Sequence, residues 1–201
     1  LLSKYGYCFS RANVDMRSSH IAGLTGNLSI DSLVMDSIRL DTVKLNIKSD
    51  HDKFIYTAQV INNKRNPQYV FRAIIDGELN EHGSLLKAKL YDAKQKLGIQ
   101  FGLLAKMEQN GIRMSLVGDN PILGYKTFNA NEGNYVFLGD DKRLSANLQL
   151  KSADGMGIQL FTDDENKEAL QDLTFSLNKF KLHDILSVLP HTPNVSGDLN
   201  G

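Results

Sequence analysis

The feature that most constrains this chain is the recurrence of apolar residues at every second position. Between Leu97 and Met107, apolar side chains occupy the odd positions, while glycine, glutamine and lysine dominate the even ones. Successive side chains of a β-strand point to opposite faces, so this alternation gives each strand one apolar and one polar face. The chain is therefore predicted to be all-β.

Short polar segments separate the alternating runs and predict antiparallel hairpins. They lie at 62–67, 80–83, 109–111, 139–141 and 163–166. Asn110-Gly111 is the strongest hairpin signal, because both residues tolerate the positive φ of a tight turn. The spacing of these segments predicts roughly a dozen strands of ordinary length.

Helix is scarce in the pattern. One short helix is predicted near 182–189, where Leu182, Ile185, Leu186 and Leu189 follow helical spacing and Pro190 ends it. Residues 31–36 fit either a strand with a bulge or a loop.

A sheet with one apolar face must cover that face. A second sheet can pack on it, the sheet can close into a barrel, or the sheet can curl so that its concave side holds another molecule. A compact β-sandwich or barrel, acting as a binding or adhesion module with no lipid-transfer role, is therefore one interpretation of the pattern.

The composition narrows the classes of partner. The 201 residues include 23 basic and 23 acidic side chains, so the formal net charge is zero, which argues against a nucleic-acid partner. Cys8 is the only cysteine and cannot form a disulfide within the chain. The sequence starts at Leu1 without a signal-peptide pattern and stops at Gly201 within a strand-like run, so we expect a fragment of a longer protein.

The sequence offers no enzyme chemistry. None of the five histidines has metal-ligand spacing, and the acidic run at 163–166 lacks the spacing of a calcium loop. Cys8 has no nearby histidine, and no Gly-x-Ser-x-Gly elbow occurs. Gly98, Gly102, Gly155 and Gly157 are expected to mark bends, bulges or close approaches of the backbone. We expect no catalytic residue, no metal site and no cofactor.

Two segments carry a resemblance to a known family. The stretch GLTGNLSIDSLVMDSIRLDTVKLNIKSD, from Gly23 to Asp50, and the Leu182–Pro190 segment followed by Asn194–Gly201 resemble the AsmA-like and TamB-type periplasmic proteins of envelope biogenesis. The resemblance implies that residues 1–201 form a single β-rich segment, a long antiparallel meander curled into a half-pipe (a β-taco) with an apolar concave face.

The resemblance also implies a setting and partners. Such proteins are anchored in the bacterial inner membrane and reach across the periplasm. They are linked to phospholipid movement between the inner and outer membranes and to outer-membrane protein assembly. The expected partners are phospholipid acyl chains and an outer-membrane assembly barrel of the TamA/BamA class.

The alternating positions define a predicted lining for the lipid groove, with ordinary core packing as the alternative. A uniform aliphatic lining suits passage of an acyl chain, whereas a cofactor pocket needs a few placed polar groups. The predicted lining residues are Val43, Leu45, Ile47, Phe71, Ala73, Ile75, Leu86, Ala88, Leu90, Ile99, Phe101, Leu103, Ile112, Met114, Leu116, Leu144, Leu148, Leu173, Phe175 and Leu177.

Overall fold

The structure is a computed structural model that describes residues 7–19, 23–162, 172–188 and 198–199. Seventeen strands and one short helix are found in these ranges. They are β1 (Tyr7–Cys8), β2 (Arg11–Ser19), β3 (Gly23–Met35), β4 (Ile38–Asp50), β5 (Lys53–Asn62), β6 (Phe71–Asn80), β7 (Gly83–Tyr91), β8 (Leu97–Glu108), β9 (Gly111–Leu116), β10 (Ile122–Leu123), β11 (Lys126–Ala130), β12 (Tyr135–Gly139), β13 (Leu144–Ser152), β14 (Gly157–Thr162), β15 (Leu173–Asn178), β16 (Phe180–Lys181), α1 (Leu182–Leu186) and β17 (Asp198–Leu199).

Fifteen of these strands form one antiparallel sheet in which neighbours in sequence are mostly neighbours in space. From β2 to β8 each strand pairs with the next, and β13, β14 and β15 continue the same order. The sheet curls into a half-pipe with an apolar concave face. The predicted fold class is thus confirmed.

The middle of the meander contains two broken strands. β9 and β10 both pair with β8, so together they occupy the place of a single strand beside it. β11 and β12 likewise share one side of β13. These breaks, at 117–121 and 131–134, explain why the sheet has more strands than the dozen predicted.

At these breaks, asparagine side chains form the hydrogen bonds that backbone groups form elsewhere in the sheet. The Asn134 Oδ1 accepts the Leu116 N–H at 2.7 Å, and the Asn134 Nδ2 donates to the Leu116 carbonyl at 3.3 Å. The Asn131 Oδ1 accepts the Gln149 N–H at 2.8 Å. These amides replace the missing backbone partners, because a buried N–H or C=O without a partner is costly.

Two hairpins share a turn chemistry that differs from the prediction. The turn residues are Glu81-His82 and Gln109-Asn110, and each is followed by a glycine that opens the next strand. Asn110-Gly111 is therefore not the central pair of its turn. Gly111 lies opposite Glu108 in the ladder at φ 155°, where an added Cβ would lie 2.2 Å from the Leu138 carbonyl oxygen. The positive φ of Gly111 and the close approach of the neighbouring backbone both require glycine here.

Residues 31–36 and the predicted helix are both defined in the structure. Residues 31–35 belong to β3, and Ser32 adopts a positive φ of 53° while the register with β4 stays the same on both sides. The helix runs from Leu182 to Leu186, shorter than predicted, and is followed by a turn at 187–188. Leu189, Pro190 and the acidic run at 163–166 lie outside the described residues.

The helix and β16 form a C-terminal strap, residues 180–188, that packs on β8, β11 and β13. Val188 is 2% exposed and lies against Gly98, whose added Cβ would be 2.3 Å from the Val188 Cγ1. Phe180 packs on a small core of Phe128, Leu150 and Met156. A side chain at position 98 would push the strap away, so the glycine expected to mark a close approach does so.

Candidate functional site

The cross-strand register assembles one apolar face that extends over the whole sheet. Directly opposed residues of antiparallel strands point to the same face. One row of direct partners runs through Val14, Leu28, Leu45, Ala58, Ile75, Ala88 and Phe101. Parallel rows lie on either side of it, so the alternation in the sequence becomes a continuous apolar band across the strands.

All twenty residues of the predicted lining lie on this face. The structure adds apolar residues that the predicted lining omits, among them Val14, Met16, Leu28 and Ile30 of β2 and β3. Their alternation in the sequence gives the same signal. That these residues contact lipid stays a prediction.

The apolar face is open over much of its area. The large hydrophobic side chains exposed by more than a third include eight on this face: Val14, Met16, Phe54, Ile75, Leu79, Met107, Leu138 and Phe175. Val14 and Met16 on β2 are 66% and 65% exposed, and Phe175 on β15 is 60% exposed. No second sheet of the described ranges covers them. We call this concave face the trough.

The trough is long relative to a lipid. Eleven strand-to-strand steps separate β2 from β15 when each broken pair counts as one strand. At about 4.8 Å a step the band spans about 50 Å, compared with about 30 Å for the full hydrocarbon core of a bilayer. The strands from β2 to β8 account for six of these steps, about 30 Å.

One region of the apolar face is closed. Phe128, Leu150 and Met156 are each no more than 6% exposed, and the C-terminal strap covers this region through Phe180. Leu148 and Leu116, both of the predicted lining, pack against this core. The open part of the trough therefore lies mainly on β2 to β8, with Phe175 exposed at the opposite edge.

An ion cluster anchors the strap to the sheet. The Lys126 Nζ lies 2.7 Å from an Asp154 oxygen and 2.8 Å from an Asp184 oxygen, which joins β11, the turn before β14 and α1. The two carboxylates raise the pKa of Lys126. Lys126, assisted by the Ser152 hydroxyl, holds the pKa of Asp154 well below its usual range. The cluster therefore ties α1 to β11 and to the turn before β14.

The convex face carries the polar side chains and shallow depressions. One of them, about 590 Å³, lies over β2 to β5 and is lined by residues that include Asn27, Asn46 and Lys48. The Arg17 guanidinium there donates two hydrogen bonds to Asp15, at 3.2 and 3.1 Å. Its openness sets it apart from an enclosed ligand pocket.

The described residues contain no group of three or more histidine, cysteine, aspartate or glutamate side chains that could hold a metal. His51 and His82 lie in exposed turns beside Asp50 and Glu81. Cys8 is exposed. Within the same ranges, no helix is both long enough and apolar enough to cross a bilayer.

No protein-family model, curated protein or solved structure matches this chain.

Proposed function

We propose that this chain is a segment of a periplasm-spanning envelope-biogenesis protein, anchored in the bacterial inner membrane, whose trough conducts phospholipid between the inner and outer membranes. In the same proposal it supports outer-membrane protein assembly together with a barrel of the TamA/BamA class. The observation that carries the lipid role is the continuous apolar band, which stays open to solvent from β2 to β8. The anchor, the compartment and the barrel partner rest on the resemblance of residues 23–50 and 182–201.

The energetics of the trough support lipid as its ligand. Burial of each CH₂ group gains about 0.8 kcal/mol, so one acyl chain of about sixteen carbons gains roughly 10 kcal/mol on leaving water. An exposed apolar face of this size on a lone protein also needs an explanation, since such patches usually mark a binding surface. An acyl chain bound in the trough would remove its own apolar surface and that of the protein from water.

The lining favours movement over tight capture. The central rows carry aliphatic side chains, glycines and Phe101, with the Tyr56 hydroxyl as the polar exception. Inward-facing polar groups lie near the ends of the strands, as with Ser49, Ser84 and Asn62. A site that holds one ligand needs convergent polar groups to orient it, and these rows do not supply them.

The second candidate is a compact binding or adhesion module with no lipid-transfer role. The observation in its favour is the closed core at Phe128, Leu150 and Met156, which is ordinary protein packing. Mass spectrometry of lipid extracted from the purified chain distinguishes the two. Bound phospholipid supports the trough, and a monomer free of extractable lipid supports the module.

A pair of phenylalanines gives a sharper test of the trough. Phe175 and Phe161 lie on adjacent strands and are 60% and 41% exposed, but they face opposite sides of the sheet. Phe175→Asp should lower lipid retained or crosslinked in the trough, while Phe161→Asp should not. Equal lipid in both variants would contradict the assignment of the lipid path to the concave face.

A further inference from the structure

We propose that one rim of the half-pipe, formed by the loops 63–70 and 92–96, docks onto a membrane surface that bears anionic phospholipid headgroups. We call these two loops the basic rim. The inference goes beyond the proposed function, because contact through a charged rim does not require lipid in the trough.

The first loop is held in one conformation by buried amides. Asn66 is 8% exposed, and its Oδ1 accepts the N–H groups of Gln68 and Tyr69 at 2.9 and 3.0 Å. Its Nδ2 donates to the Arg39 carbonyl and to Asp41, both at 3.2 Å. The network fixes the loop while Lys64 and Arg65 stay exposed at its tip.

The second loop is ordered around one carboxylate. Asp92 accepts the N–H groups of Lys94 and Lys96 at 2.8 and 2.9 Å and the Tyr125 hydroxyl at 2.8 Å. Burial alone would raise the pKa of Asp92, but these donors hold it below its ordinary value. The side chains of Lys94 and Lys96 are exposed, and the Lys96 ammonium lies 4.4 Å from the centre of the Tyr125 ring.

The cations of the basic rim form no close ion pair within the described part of the chain. Lys64, Arg65, Lys94 and Lys96 take part in none of the ion pairs among the described residues. Arg72, at the end of the first loop, stacks 4.3 Å over Tyr91, and its Nε has no hydrogen-bond partner in the same part of the chain. Asp92 interacts with Lys94 and offsets one of these charges, so the two loops together present an excess of three positive charges.

The opposite rim carries the opposite charge. An antiparallel meander sends alternate turns to opposite rims. The turns at 51–52, 81–82 and 140–142 hold Asp52, Glu81, Asp140 and Asp141 against Lys142 alone, with His51 and His82 beside them. The same alternation puts the turn 36–37, with Asp36, on the rim of the two basic loops. With Asp36 and Asp92 included, these three turns still hold an excess of two positive charges, so a chain of zero net charge is polarised by its topology.

A lipid surface fits this rim better than an acidic protein does. The two loops lie two strands apart, about 10 Å, so within a Debye length they act as one patch. Tyrosines flank the cations at Tyr69, Tyr91 and Tyr125, the combination that favours the boundary between headgroups and hydrocarbon. Each basic residue near an anionic membrane strengthens binding by roughly fivefold, so removal of two weakens it by about 25-fold.

Vesicle sedimentation of the full chain tests the rim. Vesicles of phosphatidylcholine mixed with phosphatidylglycerol should bind the protein, and pure phosphatidylcholine vesicles should not. The Lys64→Glu/Arg65→Glu variant should weaken binding by at least about 25-fold. The control Lys44→Glu/Lys106→Glu changes net charge equally, with exposed lysines away from the rim, and should bind like the unmodified chain.

Three outcomes would overturn the proposal. The first is an equal loss of binding in the two variants, and the second is equal binding to both kinds of vesicle. The third is displacement of the protein by inorganic phosphate beyond the displacement by sodium chloride of equal ionic strength. That result would indicate a discrete phosphate pocket. The proposed function fails separately, when no lipid is extracted from the trough even though the mixed vesicles bind.

Discussion

Single side chains decide where this sheet can depart from a regular ladder. Asn62 and Asn66 are buried polar residues whose side chains hold the loop after β5, and Asn134 bonds to both polar groups of the Leu116 backbone. Buried polar groups stabilise a fold when every partner is present and destabilise it when one is removed. Stability at these points therefore rests on individual amides.

Replacement of Asn66 by alanine tests this dependence. The substitution leaves the Gln68 and Tyr69 N–H groups without their acceptor, so the free energy of unfolding should fall by about 2–3 kcal/mol. Urea denaturation measures the loss. Asn63→Ala, in the same loop but exposed, should cost less than half as much, and an equal cost would show that burial of Asn66 is unimportant.

Tyr125 should impart a dependence on alkaline pH. Burial, and then its hydrogen bond to Asp92, raise the pKa of Tyr125 to about 12, from an ordinary value of 10.0. A pKa raised in the folded state contributes stability below pH 10 that is lost as the pH rises toward 12. Tyrosinate absorbance should show one late-titrating group that is absent in Tyr125→Phe, and stability of that variant should change less over this range.

At the scale of elements, the C-terminal strap depends on a contact that only glycine permits. Val188 lies where a side chain at position 98 would be, and an added Cβ on Gly124 would lie 2.5 Å from the Asp184 carbonyl oxygen. The strap is a five-residue helix with a short strand, too short to be stable alone. Packing on these glycines, together with the Lys126 ion cluster, holds it in place.

Gly98→Ala should therefore detach the strap. The new methyl group overlaps Val188, so hydrogen exchange should accelerate at residues 182–188 while β3 to β7 keep their protection. Gly157→Ala is the matched control, since an added Cβ there meets its nearest atom at an ordinary 3.6 Å. Unchanged exchange in Gly98→Ala would mean that the strap adapts to the side chain.

The whole molecule is a single curled layer, and its stability should vary along the sheet. Each strand packs chiefly on its sequence neighbours, so the sheet resembles a one-dimensional array. Every residue of β2 is exposed, whereas β13 includes Ala146 and Leu150, at 2% and 6% exposure. Local unfolding should therefore be easiest at the β2 edge.

Hydrogen exchange monitored by mass spectrometry measures this gradient. Protection should be lowest across Arg11–Ser19 and highest across Leu144–Ser152. Uniform protection over both strands would contradict the single-layer picture, because it would require one cooperative core that spans the sheet.

The periodicity of the chain is sufficient to specify which segments are extended, which side chains share a face, and the antiparallel pairing of consecutive strands from β2 to β8 and from β13 to β15. A period of two specifies which side chains share a face, and short polar turns leave no other pairing for consecutive strands. For this reason alternation alone places the twenty lining residues on one face. For Gly98 the sequence predicts a close approach of the backbone to another group, but it does not identify the strap as that group.

The use of the apolar face depends instead on tertiary structure. Alternation shows that a face avoids water but does not show what covers it, so the open trough on β2 to β8 and the closed core around Phe128 have the same pattern in the sequence. The broken strands, their asparagine repairs and the basic rim are likewise tertiary features. They depend on residues far apart in the chain that meet only when the sheet curls and its turns alternate between two rims.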